Sequence, residues 1–353
     1  MKNPHRSSKT KGRRSRNPKL NEDTLRSRSY HNSVFDDKKR LVDLKAQKNL
    51  KISLAFPTLN EELTIAKEIL VLKTELMDRF PLIDEIAVID SGSTDKTREI
   101  ARSFGAKVFV ATEILPAFGS YRGKGENLWK SLHVLQGDII VWIDADISNI
   151  NPKFLLGLVG PLLENDEIGY VKAFYKRPIR STAGLSVSGG GRVTEILIRP
   201  LFSLFYPELA ELIQPLSGEY AGRRRILEQL PFSVGYGVEV GHLIDLYHQF
   251  GPQIIAQVDM DERIHRNQTI EALSRMSFGV LATFLDRLKK YKKISISEEL
   301  GQFHLALEAS SEGWQVVKSN VSMVERPPIR TIPEYTKRFP LLNEEPSDAA
   351  PSS

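Results

Sequence analysis

The chain has 353 residues, 41% hydrophobic and 26% charged, the proportions of an ordinary globular protein long enough for one large domain or two. Cysteine is absent, which excludes a disulfide framework, a thiol nucleophile and a cysteine zinc site, and fits a reducing, cytoplasmic compartment. The formal charge of +5 is unevenly placed: residues 1–20 hold eight basic and no acidic residues, leaving 41 Lys or Arg against 44 Asp or Glu in the rest.

Residues 1–30 are therefore expected to form a disordered basic tail. It lacks the apolar segment of a secretory signal, and it either touches an anionic surface or is simply solvated. The slightly acidic body, without interleaved aromatic and basic residues, points away from a specific nucleic-acid partner. No apolar run reaches the roughly 18 residues of a membrane span. The longest candidates, Phe154 to Leu163 and Ile196 to Tyr206, are interrupted by Gly and Pro or by Arg199.

A short helix around Leu41 to Leu44 leads into alternating strands and helices. Lys51 to Phe56 reads as a strand, Pro57 to Glu62 as a turn, and Leu63 to Met77 as a helix by its apolar spacing. Glu85 to Ile89 is the next strand and ends in Asp90-Ser91-Gly92-Ser93-Thr94-Asp95. A helix from Asp95 through Phe104 and a strand from Ala106 to Ala111 follow, then a loop punctuated by Gly119, Gly123 and Gly125, then a helix from Glu126 to Leu135. This alternation predicts an α/β fold with a doubly wound, mostly parallel sheet and ligands at the carboxyl ends of its strands.

Ile139 to Ile143 is a run of five large apolar residues, a strand buried on both faces, and it ends in Asp144-Ala145-Asp146. Carboxylates two residues apart point the same way on an extended backbone and repel unless a cation lies between them. The pair is thus a candidate divalent-metal site; an Asp-rich turn is the plainer reading. Ser188 to Thr194, with three glycines and Arg192 before an apolar helix-like stretch, has the makings of an anion cradle or of a hinge loop. Asn60-Glu61 and Glu239 read either as ligand-binding groups or as favourable charges at helix starts.

Taken together, Pro57-Thr-Leu-Asn-Glu61, Val88 to Asp95, Gly123-Lys-Gly125 and Asp144-Ala-Asp146 resemble the nucleotide-sugar half of GT-A glycosyltransferases. Gly189 to Thr194, Gly235-Tyr-Gly-Val-Glu239 and Ile264-His-Arg-Asn267 narrow the resemblance to retaining enzymes of the glucosyl-3-phosphoglycerate synthase family, glycosyltransferase family 81, close to the mannosyl-3-phosphoglycerate synthases. The resemblance runs from about Lys51 to about Asn267. It implies a GT-A fold divided into a nucleotide-sugar half (31–150), an acceptor half (151–270), a C-terminal helical and extended region (271–340) and a disordered end (341–353).

The resemblance further implies that Pro57, Thr58, Glu61, Ser91, Lys124, Asp144, Ala145 and Asp146 bind the nucleotide. Asp146 and His265 would ligate Mg2+, with Mn2+ or Co2+ as substitutes. Leu216, Tyr236 and Glu239 take the sugar, and Gly191, Arg192, Thr194 and Asn267 the acceptor, with Asp144, Asp146, Leu216 and Glu239 counted as catalytic. Ala145 stands where the family often has serine, so a hydroxyl contact there must become a backbone contact. The reaction implied is transfer of glucose from UDP-glucose to the 2-hydroxyl of D-3-phosphoglycerate by a homodimer. The alternatives are transfer of mannose from GDP-mannose and an inverting family 2 transferase acting on a lipid-linked acceptor. At the C-terminal end, Leu273 to Tyr291 and Glu298 to Leu307 read as amphipathic helices, with Lys289, Lys290, Lys292 and Lys293 as a solvated face or dimer rim.

Overall fold

The computed structural model describes residues 25–176, 179–181, 184–186, 191–264, 268–311, 313–321 and 323–340. Its core is one eight-stranded sheet built from β1 (Ser29–His31), β2 (Ile52–Thr58), β3 (Glu85–Asp90), β4 (Lys107–Val110), β5 (Ile139–Trp142), β6 (Tyr170–Lys176), β7 (Tyr220–Arg223) and β8 (Ile255–Glu262). The order is β1-β8-β6-β7-β5-β2-β3-β4. All neighbours are parallel except β7, which runs antiparallel between β5 and β6, with Val141 and Val171 both paired to Ala221. The expected mostly parallel sheet is present, and β7 is its exception.

The run that marks β5 works as its composition implies. Ile140 and Trp142 enter one core with Trp129, Tyr170, Tyr220 and Phe284, while Ile139, Val141 and Ile143 enter the other with Phe56, Ile69 and Phe154. A strand with side chains buried on both faces cannot slip by one residue without exchanging its two cores, so its end, and the acidic turn beyond it, are fixed in space.

Three sequence expectations need correction. The expected tail reaches too far, because Leu25 is buried, Ser29–His31 pairs with β8, and the Arg28 guanidinium donates to the carbonyls of Ile255 (3.1 Å) and Pro252 (3.2 Å). This edge strand has three residues and no apolar alternation, so periodicity does not reveal it. The helix expected over Glu298 to Leu307 is instead a hairpin, Phe303–Ser310 with Gly313–Asn320. Phe303, Leu305 and Leu307 alternate with His304, Ala306 and Glu308, a period of two rather than 3.6. Region 271–340 is therefore helix Ile270–Lys290, this hairpin, a short strand Glu325–Arg326 paired with Phe232–Ser233, and helix Pro333–Arg338. Finally, Lys290 and Lys293 are not merely solvated: Lys290 Nζ meets Asp245 Oδ1 at 2.9 Å and Lys293 Nζ donates to the Phe205 carbonyl at 2.7 Å.

Candidate active site

A cavity of about 680 Å3 opens at the carboxyl ends of β2, β3 and β5. Every described candidate residue lines it: Pro57, Thr58, Glu61, Ser91, Lys124, Asp144, Ala145, Asp146, Gly191, Arg192, Thr194, Leu216, Tyr236 and Glu239. His265 and Asn267 lie outside the described residues.

The loops that follow β2 and β3 are stitched to each other. Asp90, buried at the end of β3, accepts from Thr58 Oγ1 (3.2 Å), from the amides of Gly92 (3.1 Å) and Ser93 (2.9 Å), and from Ser93 Oγ. Ser93 Oγ accepts from the Asn60 amide at 2.9 Å, and Asn60 Oδ1 accepts from the Thr94 amide at 2.9 Å. Asn60 does this in the left-handed region, at φ 59°. It does not cap the following helix, which begins at Ile65.

Asp144 and Asp146 sit past the end of β5 on a turn, not on extended backbone, yet their carboxylates converge. The agent is Arg263, which the sequence reading missed. It is 3% exposed, and its Nη2 lies 3.2 Å from Asp144 Oδ2, 2.6 Å from Asp146 Oδ1 and 3.2 Å from Glu219 Oε1, while Nη1 donates to Tyr175 OH at 3.0 Å. Burial alone would push this guanidinium down, but Glu219 and the other acids hold it charged. Only its place two residues before His265 could have flagged it.

Lys124, the first residue of helix Lys124–Val134, reaches Asp144 Oδ1 at 2.5 Å, Glu239 Oε1 at 3.3 Å and the Gly218 carbonyl at 3.2 Å. Burial opposes its charge, but Asp144 and Glu239 overcome that and raise it above the usual lysine range. A Cβ at Gly218 would stand 1.9 Å from Asp144 Oδ2 and 2.6 Å from Lys124 Nζ, so a side chain here would displace this ion pair. Behind this loop, buried Lys172 on β6 donates to the Ser217 carbonyl at 2.6 Å, and desolvation pushes its pKa down to about 7. Glu219 and Lys172 carry no motif. Each reads as an isolated charge, and only the fold places it behind the residues that line the cavity.

On the other wall, Gly191 has φ 82°, Thr194 begins the helical stretch that continues into Arg199–Phe205, and Arg192 Nη2 donates to the Gln268 carbonyl at 2.9 Å. Glu239 lies in the first turn of helix Val238–Phe250 and is nearly buried, whereas Tyr236 is exposed.

The oxygen donors suit a hard divalent cation. Mg2+ or Mn2+ takes one or two carboxylates and completes its shell with phosphate oxygens and water. Asp146, with Asp144 beside it, supplies such a pair at the cavity, and among the described residues no set of three or more His, Cys, Asp or Glu forms a closed protein cage.

Comparison with known proteins places the chain in a family. The glycosyl transferase family 2 model matches residues 53–230. Glucosyl-3-phosphoglycerate synthase of Petrotoga mobilis is 58% identical over 90% of this chain and 98% of its own length. Among solved structures, mannosyl-3-phosphoglycerate synthase from Rubrobacter xylanophilus superposes with TM-score 0.81 at 37% identity, covering 87% of this chain and 98% of that one. Glucosyl-3-phosphoglycerate synthase from Mycobacterium tuberculosis, in complex with Mn2+, UDP-glucose and phosphoglyceric acid, superposes with TM-score 0.71 at 41% identity, covering 83% of this chain and 94% of that one. By the family model that matches half of its length and by its 58% identity to a glucosyl-3-phosphoglycerate synthase, the chain carries a glycosyl transferase family 2 domain and belongs to the glucosyl-3-phosphoglycerate synthase family.

Proposed function

We propose that the chain is a retaining glycosyltransferase that moves glucose from UDP-glucose to the 2-hydroxyl of D-3-phosphoglycerate, using Mg2+ or, in its place, Mn2+ or Co2+. The observation that carries this reading is the single cavity onto which the nucleotide loops, the carboxylate pair and the Gly191–Thr194 cradle all open. Relatives named for this reaction support it.

Pro57, Thr58, Glu61 and Ser91 take the nucleoside, with Asp144 and Ala145 beside the ribose. Asp146 and His265 would hold the cation, which when bound neutralises charge on the departing diphosphate. Lys124 and Arg263 supply fixed positive charge on the same side of the cavity, where it needs no reorganisation during the reaction. Glu239 and Tyr236 take the sugar hydroxyls, and the Leu216 carbonyl is assigned to the cationic sugar. Gly191, Arg192 and Thr194 bind the acceptor phosphate, and Asn267 its carboxylate end.

Retention through a covalent intermediate requires a carboxylate free to attack. Near the sugar position, Lys124 engages Glu239 and Asp144, and Arg263 and Tyr175 engage Glu219. The step that fits is departure of UDP and attack by the acceptor hydroxyl on the same face. The hydroxyl proton passes to the leaving phosphate oxygen, the glycosidic bond to UDP breaks, and the new bond forms to the 2-oxygen of the acceptor.

Purified protein with Mg2+ and 3-phosphoglycerate, offered UDP-glucose and GDP-mannose in turn, is expected to release UDP faster than GDP. No turnover with either donor sinks the proposal. Preference for GDP-mannose replaces it with the mannosyl reading, which the Rubrobacter xylanophilus structure keeps in view. The same proposal includes a cytoplasmic location and a homodimer. One face of the hairpin, with Leu305, Leu307, Trp314 and Val316, is exposed, whereas His304 on the other face bonds Ser274 of helix Ile270–Lys290. An apolar strand face of this kind suits a second copy of the chain. Leu307→Glu is expected to halve the mass measured by light scattering, and an unchanged mass removes the hairpin from the interface.

A further inference from the structure

The turn that carries Asp144 and Asp146 is gripped from one side by a single helix start. Thr64 Oγ1 donates to the Ala145 carbonyl at 2.5 Å, the Ile147 amide donates to Glu68 Oε1 at 2.8 Å, and Lys67 Nζ donates to the Ser148 carbonyl at 2.5 Å. Thr64 is the N-cap of helix Ile65–Lys73, and Lys67 and Glu68 follow it at three and four residues, so all three side chains leave the same helical face. From the opposite side, the Ser148 amide and hydroxyl donate to the Ile264 carbonyl (3.1 and 2.9 Å), and the Ile264 amide donates to Asn149 Oδ1 at 2.9 Å. The turn thus spans from the first helix after β2 to the segment that carries Arg263.

Glu68 is the unusual member. It is fully buried, Oε2 has no hydrogen-bond partner among the described residues, and a carboxyl in that position is costly to keep. An apolar residue here would leave the amide of buried Ile147 without this acceptor. What only Glu68 provides is an acceptor for the one backbone amide immediately after Asp146.

We propose that Glu68, assisted by Thr64, is a positioning residue for the metal site: by holding the Ile147 amide and the Ala145 carbonyl it fixes the backbone on both sides of Asp146, so that the carboxylate is aimed before the cation arrives. This rests on the reading that Asp146 holds the cation. Groups that orient metal ligands from behind typically change affinity or activity by about 10- to 100-fold when lost.

The test is Mn2+ affinity of metal-free protein in the presence of UDP, measured by calorimetry for wild type, Glu68→Gln, Glu68→Leu and Thr64→Val, with Asp146→Asn as reference. Glu68→Gln retains an acceptor for Ile147 and is expected to bind Mn2+ much as wild type does. Glu68→Leu and Thr64→Val are expected to weaken Mn2+ by about tenfold or more, to raise the Mn2+ concentration needed for half-maximal rate in proportion, and to leave kcat at saturating Mn2+ near wild type. Thr64→Val alters little volume and serves if Glu68→Leu does not fold. Wild-type Mn2+ affinity in either folded variant overturns the positioning role. If wild type and Asp146→Asn bind Mn2+ equally well, the reading of Asp146 falls first, and this inference with it.

Discussion

The two walls of the cavity are held in different ways. On the donor wall, Asp90, Ser93, Asn60 and Thr94 form a continuous chain of hydrogen bonds between the loops after β2 and β3. On the acceptor wall, the Arg192 guanidinium donates to the Gln268 carbonyl at 2.9 Å. In the proposed assignment a nucleotide meets a surface built beforehand, and its binding energy is not spent on ordering loops. In the proposed acceptor site, a small anion would instead be held by charge-assisted hydrogen bonds from the Arg192 guanidinium. Changes on the two walls should accordingly separate in the kinetics.

The largest effect is expected at the carboxylate pair, which both walls share. Asp146→Asn removes the charge proposed to hold the cation but leaves Arg263 paired with Asp144 and Glu219, so the protein should still fold. A fall in kcat/KM on the order of 1000-fold is expected, equivalent to about 4 kcal/mol of transition-state stabilisation. A loss below tenfold would move the cation away from Asp146. Next comes Arg192→Ala. A charged hydrogen-bonding group contributes about 1.5–3 kcal/mol, so the KM for 3-phosphoglycerate should rise by about 10- to 100-fold with the KM for UDP-glucose nearly unchanged. Equal rises in both would abolish the distinction between the walls. Asn60→Ala tests the donor wall in the same experiment. It breaks the bond to the Thr94 amide and puts alanine at φ 59°, and about 1–2 kcal/mol of lost organisation should appear as a roughly 5- to 30-fold rise in the donor KM alone.

The donor wall is also the more legible one in sequence, for a physical reason. Its contacts come from short loops directly after strands, so Pro57–Glu61 and Asp90–Asp95 carry the geometry in contiguous residues. The apolar run Ile139–Ile143 announces where the sheet ends, and with it Asp144 and Asp146. Arg263, Glu219 and Lys172 could not be read in the same way. Each is a single charge whose partner is brought in by the fold, 117 residues apart for the pair Arg263–Asp146. The antiparallel β7 is hidden by its small residues, Ala221 and Gly222, which leave no run of β-formers. In the C-terminal region, Phe303 to Leu307 fits a helix face only if the intervening His304 and Ala306 are ignored. Counting the period decides for the hairpin, and Gly313, at φ 118°, lies beside its turn.

The smallest expected effect lies under the floor where the two walls join. Lys172 is 1% exposed, and its Nζ lies 4.3 Å from the centre of the Tyr220 ring while donating to the Ser217 carbonyl, next to Leu216 and Gly218. Desolvation, only partly offset by Glu239 and Glu219, brings its pKa down to about 7, whereas in the unfolded chain it keeps the ordinary lysine value. Below about pH 7 the amine is charged in both states and the fold bears the full cost of burying that charge. As pH rises above 7 the folded form loses the proton while the unfolded form keeps it, so the cost is progressively relieved up to the ordinary lysine range. Lys172→Met, similar in length and without charge, should therefore raise Tm most at pH 6, with the gain shrinking by pH 9. Because the Ser217 carbonyl loses its donor, kcat should fall several-fold at both pH values, since a hydrogen bond contributes about 1 kcal/mol, and more when its donor is charged. If the Tm gain is the same at pH 6 and pH 9, Lys172 does not titrate between them. If kcat is unchanged, the floor that joins the donor and acceptor walls does not depend on it.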